Sequence, residues 1–174
     1  MKEDTMNYRN NLQSFIDSIK NSFVERISFD IDTNPTFDKK AIPFEFLYCN
    51  SIRITTDKDH FDIITSKTDS AVETFWILHL EKVNDYSKHL LVNSKVKNAE
   101  FKTGHNDLAF RIEIEFEKNK LFFYSGEINY EAEGLDYRIN DEMILVFENE
   151  KDAETFETII NKRKILDERE NSSS

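Results

Sequence analysis

The chain has 174 residues, 39% of them hydrophobic and 13% aromatic, enough to fill the core of one domain. Its 34 acidic and 23 basic residues leave a net charge of −11, which disfavours nucleic-acid phosphates and anionic membrane surfaces as partners. A single cysteine, Cys49, excludes an internal disulfide and a cysteine-rich zinc site.

With only three glycines and two prolines, the turns must rest on Asn, Asp, Ser and Lys, and no glycine-rich phosphate loop is present. The start, MKEDTMNYRN, lacks the apolar centre of a secretory signal, and no apolar run approaches the roughly 20 residues of a membrane span. A soluble, cytoplasmic protein is expected.

Tyr8, Leu12, Phe15, Ile16, Ile19 and Phe23 recur at spacings of three and four, which predicts an amphipathic helix with one buried face. The proline-containing stretch SFDIDTNPTFDKKAIP reads as a connection with one short strand over Arg26 to Ile31. Two strands follow, Phe44 to Cys49 and Ile52 to Thr56. A turn at Asp57-Lys58-Asp59-His60 then leads to a hairpin partner through Phe61, Ile63 and Thr65.

Thr74 to Val83 is apolar on both parities in its first half and predicts a central strand, with a helix as the competing reading. Leu90 to Asn93 and Glu100 to Lys102 carry weaker strand patterns. Phe110 to Glu117 alternates apolar and charged residues strictly, as in an antiparallel sheet with one wet face. After Lys118-Asn119-Lys120 the chain returns through Phe122, Tyr124, Gly126, Ile128 and Tyr130. Two further runs follow, Leu135 to Ile139 and Glu142 to Phe147.

Asn149 is placed to cap a last helix, with Glu150 and Asp152 in its first turn and Lys162, Arg163 and Lys164 in its last. Ala153, Phe156, Ile159 and Ile160 form its apolar stripe. The expected architecture is α+β: a mostly antiparallel, strongly curled sheet, or half-barrel, flanked by an N-terminal and a C-terminal helix. Residues 1–166 form one domain and 167–174 a disordered tail.

Candidate chemistry is sparse. Asp30, Asp32 and Asn34 have the opening spacing of a calcium loop, but Pro35 and Ala41 stand where that loop needs Gly and Glu, so a solvated turn is expected. The histidines His60, His79, His89 and His105 lack helical metal-pair spacing; His79, beside Trp76, is expected in the core, and His60 and His105 could converge only in space. Cys49 lies in an apolar run and is expected to be a small buried hydrophobe. No GxSxG elbow occurs, and Ser125-Gly126 falls inside a strand pattern.

One feature of the charge distribution is uneven. Between Glu127 and Glu157 there are eleven acids against two bases, Arg138 and Lys151. The expected function is therefore a non-enzymatic acidic interaction protein of the inhibitor or immunity type. It would dock a basic protein partner through Glu127, Glu131, Glu133, Asp136 and Asp141, with Tyr130 and Tyr137 as anchors. The alternative is a module that binds an apolar small molecule in a cavity between curled sheet and helix, with Phe75, Trp76, Phe122 and Tyr124 as walls. No metal, cofactor, nucleic acid or membrane is expected as a partner, and the oligomeric state is left open.

Overall fold

The computed structural model of the protein describes residues 2–33, 35, 42–68, 73–79, 86–104, 107–131 and 134–171. Among them the element order is α1 (Lys2–Ile19), β1 (Phe23–Ile31), β2 (Leu47–Thr56), β3 (His60–Lys67), β4 (Glu73–Leu78), β5 (Lys88–Thr103), β6 (Ala109–Phe116), β7 (Lys120–Glu131), β8 (Gly134–Phe147) and α2 (Glu150–Asn171). This is the α+β arrangement expected, two helices flanking one large antiparallel sheet.

The strands pair in the order β1-β5-β6-β7-β8-β2-β3-β4, and β1 also pairs with β2. The sheet thus curls into a partly closed ring of six strands, from which β3 and β4 branch off β2. Along one edge β2 pairs with β1; along the other its first residues, Leu47 to Cys49, meet β8 and its later ones meet β3.

Leu12, Phe15, Ile16 and Ile19 of α1 are buried as their spacing predicts, against the inward side chains of the ring, Phe29, Ile52, Ile54, Phe75, Ile114, Phe123 and Val146 among them. A second cluster lies on the opposite face. There Tyr48, Phe122, Tyr124, Leu145 and Phe147 pack under Ala153 and Phe156 of α2. The alternation of β7 explains the division: Leu121 and Phe123 point into the first cluster, Phe122 and Tyr124 into the second. A central strand buried on both faces needs apolar residues at both parities, and LFFY supplies them.

Several boundaries differ from expectation, each for a local reason. The α1 stripe ends before Phe23, because Asn21 takes a left-handed conformation (φ 66°) and closes the helix; Phe23 then opens β1 and is 41% exposed. The runs at Phe44 to Cys49 and Ile52 to Thr56 form one strand, because a register shift opposite Asp30 and Ile31 lets Asn50 bulge and flips the parity. The runs at Leu90 and Glu100 are likewise one strand of 16 residues, β5.

β4 is the last strand in the order rather than a central one. Its Phe75 and Ile77 are buried and its Trp76 and Leu78 half-buried, and α1 packs against it: Asn11 bonds both backbone groups of Ile77, and the Tyr8 ring meets Trp76 edge-on at 4.9 Å. His79, just past its end, is exposed rather than in the core, and lies 3.6 Å from Asp59. At the C-terminal end, α2 runs on to Asn171, so Lys162 to Lys164 sit within the helix and not in its last turn.

The outer face of the β2–β3 pair carries a buried ion pair. Arg53 reaches both carboxylate oxygens of Asp62 at 2.7 Å, and the Tyr86 hydroxyl donates to Asp62 Oδ1 at 2.9 Å. Arg53 and Asp62 are 6% and 1% exposed, so the charges depend on each other.

Candidate docking face

β7 and β8 form the base of the acidic region. They pair in two blocks, Phe122 to Ser125 against Ile144 to Phe147 and Gly126 to Glu131 against Gly134 to Ile139. Between the blocks β8 carries the extra residues 140–143, which shift the register of the hairpin. Gly126 stands at this break. A Cβ there would lie 2.4 Å from both the Arg138 carbonyl oxygen and the Tyr137 ring, so no larger residue fits without a shift. The extra segment is held down by β3, where Thr65 donates to the Glu142 carbonyl and Lys67 lies 3.6 Å from its carboxylate.

The hairpin register sorts the expected docking residues by parity. Glu127 pairs with Arg138, Asn129 with Asp136 and Glu131 with Gly134; Ile128 pairs with Tyr137 and Tyr130 with Leu135. Glu127, Glu131 and Asp136 therefore share one parity, and Tyr130 and Tyr137 take the other. Tyr137 turns toward α2: its ring meets Phe156 edge-on at 4.8 Å and its hydroxyl donates to the Ser125 carbonyl at 2.8 Å. Burial holds its pKa well above the ordinary tyrosine value. Glu133 lies outside the described residues.

Glu127 and Asp141 both act electrostatically on a residue not foreseen as part of the region, Tyr48. Burial first, then the negative charge of Glu127, Asp32 and Asp141, raise the Tyr48 pKa, against a backbone hydrogen bond at Ile128 that lowers it. Asp32 is tied to the same strand through its backbone N–H, which donates to the Tyr48 carbonyl at 2.8 Å. The outcome is a buried phenol kept neutral under the negative charge of residues on β7, on β8 and just past the end of β1. No spacing in the sequence could have signalled it.

The acids of α2 divide into those that hold the helix and those that face outward. Asn149 caps the helix, its Oδ1 accepting from the Asp152 N–H at 2.8 Å. Glu157 accepts from the Tyr124 hydroxyl at 2.8 Å and pairs with Arg111, which also pairs with Glu113 and lies over the Phe122 and Tyr124 rings. Arg111 is 7% exposed, and Glu157 is therefore a docking strut of the helix itself. Glu154 is exposed and has no cation partner among the described residues.

The remaining candidates are quickly placed. Cys49 is fully buried in the inner cluster. His60 and His79 both stand near Asp59, while His105 lies outside the described residues. Asp30 belongs to β1 and pairs with Ser51; Asn34 and Ala41 lie outside the described residues. Among the described residues no group of three His, Cys, Asp or Glu is placed to hold a metal ion, and no helix is long and apolar enough to cross a membrane.

The four residues expected to wall a cavity do not share one. Phe75 is in the inner cluster and Trp76 packs on Tyr8, whereas Phe122 and Tyr124 lie under α2. An open cleft of about 450 Å³ sits at one end of the ring instead, lined by Phe44, Phe46, Leu47 and Val146 and spanned by the Lys88–Glu148 ion pair. No known protein family, no characterised protein and no solved structure matches the chain.

Proposed function

We propose that the protein is a non-enzymatic interaction module whose β7–β8 hairpin and α2 dock a basic protein partner, as an inhibitor or immunity-type protein would. The observation that carries this reading is the gathering of acid on adjacent elements. Eleven acids against two bases lie between Glu127 and Glu157, and α2 packs directly on the strands that bear the rest. Such a surface attracts cations over about a Debye length, roughly 10 Å at 0.1 M salt, and speeds encounter with a basic partner.

The test is affinity capture from a lysate of the source organism, at low and high salt, with wild type and with Glu131→Lys, Glu133→Lys and Asp136→Lys combined. The expected result is one basic protein held by wild type at low salt, released by high salt and lost from the variant. Retention that ignores both salt and charge reversal would remove the reading.

A second reading, an apolar small-molecule module, is favoured only by the end cleft of about 450 Å³ with its Phe44, Phe46, Leu47 and Val146 lining. A melting temperature unmoved by a panel of apolar ligands would count against it.

A further inference from the structure

The side of the ring away from the acidic hairpin has the opposite character. In the closed order β1-β5-β6-β7-β8-β2, β1 lies three places from β7 and β5 three places from β8, across the ring. At its exposed positions β5 carries Lys95, Lys97 and Lys102 against the single acid Glu100. Two of the three large apolar residues exposed among the described residues stand here as well: Leu91, 72% exposed, opposite Arg26, and Phe23, 41% exposed, opposite Lys95. Glu25 stands on β1, Asp57 accepts from the Phe23 N–H, and along the other edge of β5 the β6 acids Glu113 and Glu115 lie opposite Glu100 and Asn98.

In a chain with 34 acids, cations should find partners easily, and Lys67, Lys88 and Lys120 do. Arg26 and Lys95 make no ion pair among the described residues. Unpaired cations around exposed Leu and Phe side chains make a surface suited to an acidic protein face, with apolar anchors inside a charged rim.

We propose that this β1–β5 face docks the acidic β7–β8 and α2 face of a second copy of the chain. The complement it needs, acid with little base, is the very surface present on the far side of every copy. Because the two faces lie on opposite sides, one chain cannot satisfy both, and the contact is head-to-tail rather than two-fold. The net charge of −11 opposes association at long range. At 0.1 M salt, however, charges beyond about 10 Å are screened, so the opposed patches in contact outweigh the remote ones. Assembly and capture of a basic partner then compete for the acidic face.

Sedimentation of the full chain over a wide concentration range tests this. Wild type should exceed the mass of one chain as concentration rises at 0.1 M salt, and return to one chain at 1 M, where the screening length is about 3 Å. The variants R26E/K95E, at exposed sites, and D141K/E154K, at a half-buried and an exposed site, should each sediment as single chains, with unchanged circular dichroism. An equal mixture of the two should associate again, because each then meets the charge it lost. Wild type that stays a single chain throughout, or a mixture that fails to recover, overturns the proposal. So does binding of single chains to anionic phospholipid vesicles lost in R26E/K95E, which would assign the face to a lipid surface. R26E/K95E should still capture the basic partner, which separates failure of self-docking from failure of the proposed function.

Discussion

Asn11 makes with Ile77 both hydrogen bonds that a neighbouring strand would make: its Nδ2 donates to the Ile77 carbonyl at 3.1 Å, and its Oδ1 accepts from the Ile77 N–H at 2.8 Å. A helix side chain thereby closes the outer edge of the last strand in the sheet, where an open row of backbone groups would invite pairing with another chain. Asn11→Ala should leave both groups of Ile77 unpaired and cost about 1–3 kcal/mol. At roughly 2–4 °C per kcal/mol for a domain of this size, the melting temperature falls visibly in a thermal scan. Asn11→Asp keeps the acceptor and loses the donor, so its loss should be intermediate.

Gly126→Ala tests the break in the β7–β8 hairpin. The added methyl would meet the Arg138 carbonyl and the Tyr137 ring at 2.4 Å, and strand backbone cannot yield as a side-chain tip can. Overpacking of this kind costs about 1–3 kcal/mol. Urea unfolding should show a lowered midpoint with an unchanged slope; an unaltered midpoint would mean that the hairpin moves freely about this point.

The buried Arg53–Asp62 pair predicts strong asymmetry between single and double changes. Asp62→Ala strands a guanidinium that is 6% exposed and should cost about 3–5 kcal/mol. R53M/D62L removes both charges and should recover most of that loss. A double variant no more stable than D62A would show that the pair is not the unit that matters.

Four tyrosines give the pH dependence a definite sign. Burial first, then the hydrogen bond to Asp62, push the Tyr86 pKa up to about 12, and Tyr48, Tyr124 and Tyr137 are raised chiefly by burial. The unfolded chain releases these protons near pH 10 and the folded one later, so stability is full below pH 10 and is lost as pH rises toward 12 and beyond. Denaturant midpoints should fall over that range, and tyrosinate absorbance of these four should appear together with loss of near-ultraviolet circular dichroism. Ionisation of more than two of the six tyrosines near pH 10 while the fold persists would contradict their burial.

Much of this fold is legible in the sequence wherever a residue's neighbours are local. Leu12, Phe15, Ile16 and Ile19 mark α1 by spacing alone, Ile112, Ile114 and Phe116 mark β6 by alternation, and Asn149 marks the start of α2 by its cap. Legibility stops where long-range pairing decides. The bulge at Asn50 splits β2 into two apparent strands, and the extra residues 140–143 do the same to β8. Phe23 fits the α1 stripe by number, yet Asn21 ends the helix before it. His79 reads as core because Trp76 and Ile77 precede it, but β4 ends at Leu78.

The candidate face follows the same rule. Its acid is countable from the chain, whereas the joint action of Glu127, Asp32 and Asp141 on Tyr48 depends on residues far apart in sequence. The division of α2 acids into struts and free carboxylates was equally hidden, since Glu157 belongs to Arg111 and Tyr124 only through packing.

The most direct measurement of the central claim is the affinity of the captured basic protein for wild type and for E131K/E133K/D136K across a salt series. A docking face built on acid predicts that wild-type affinity falls steadily as salt rises, and that the variant binds at least tenfold more weakly at 0.1 M. It predicts too that the two converge at 1 M, where charges are screened within about 3 Å. Equal affinities at every salt would show that the partner binds elsewhere and that the acid only keeps the protein in solution.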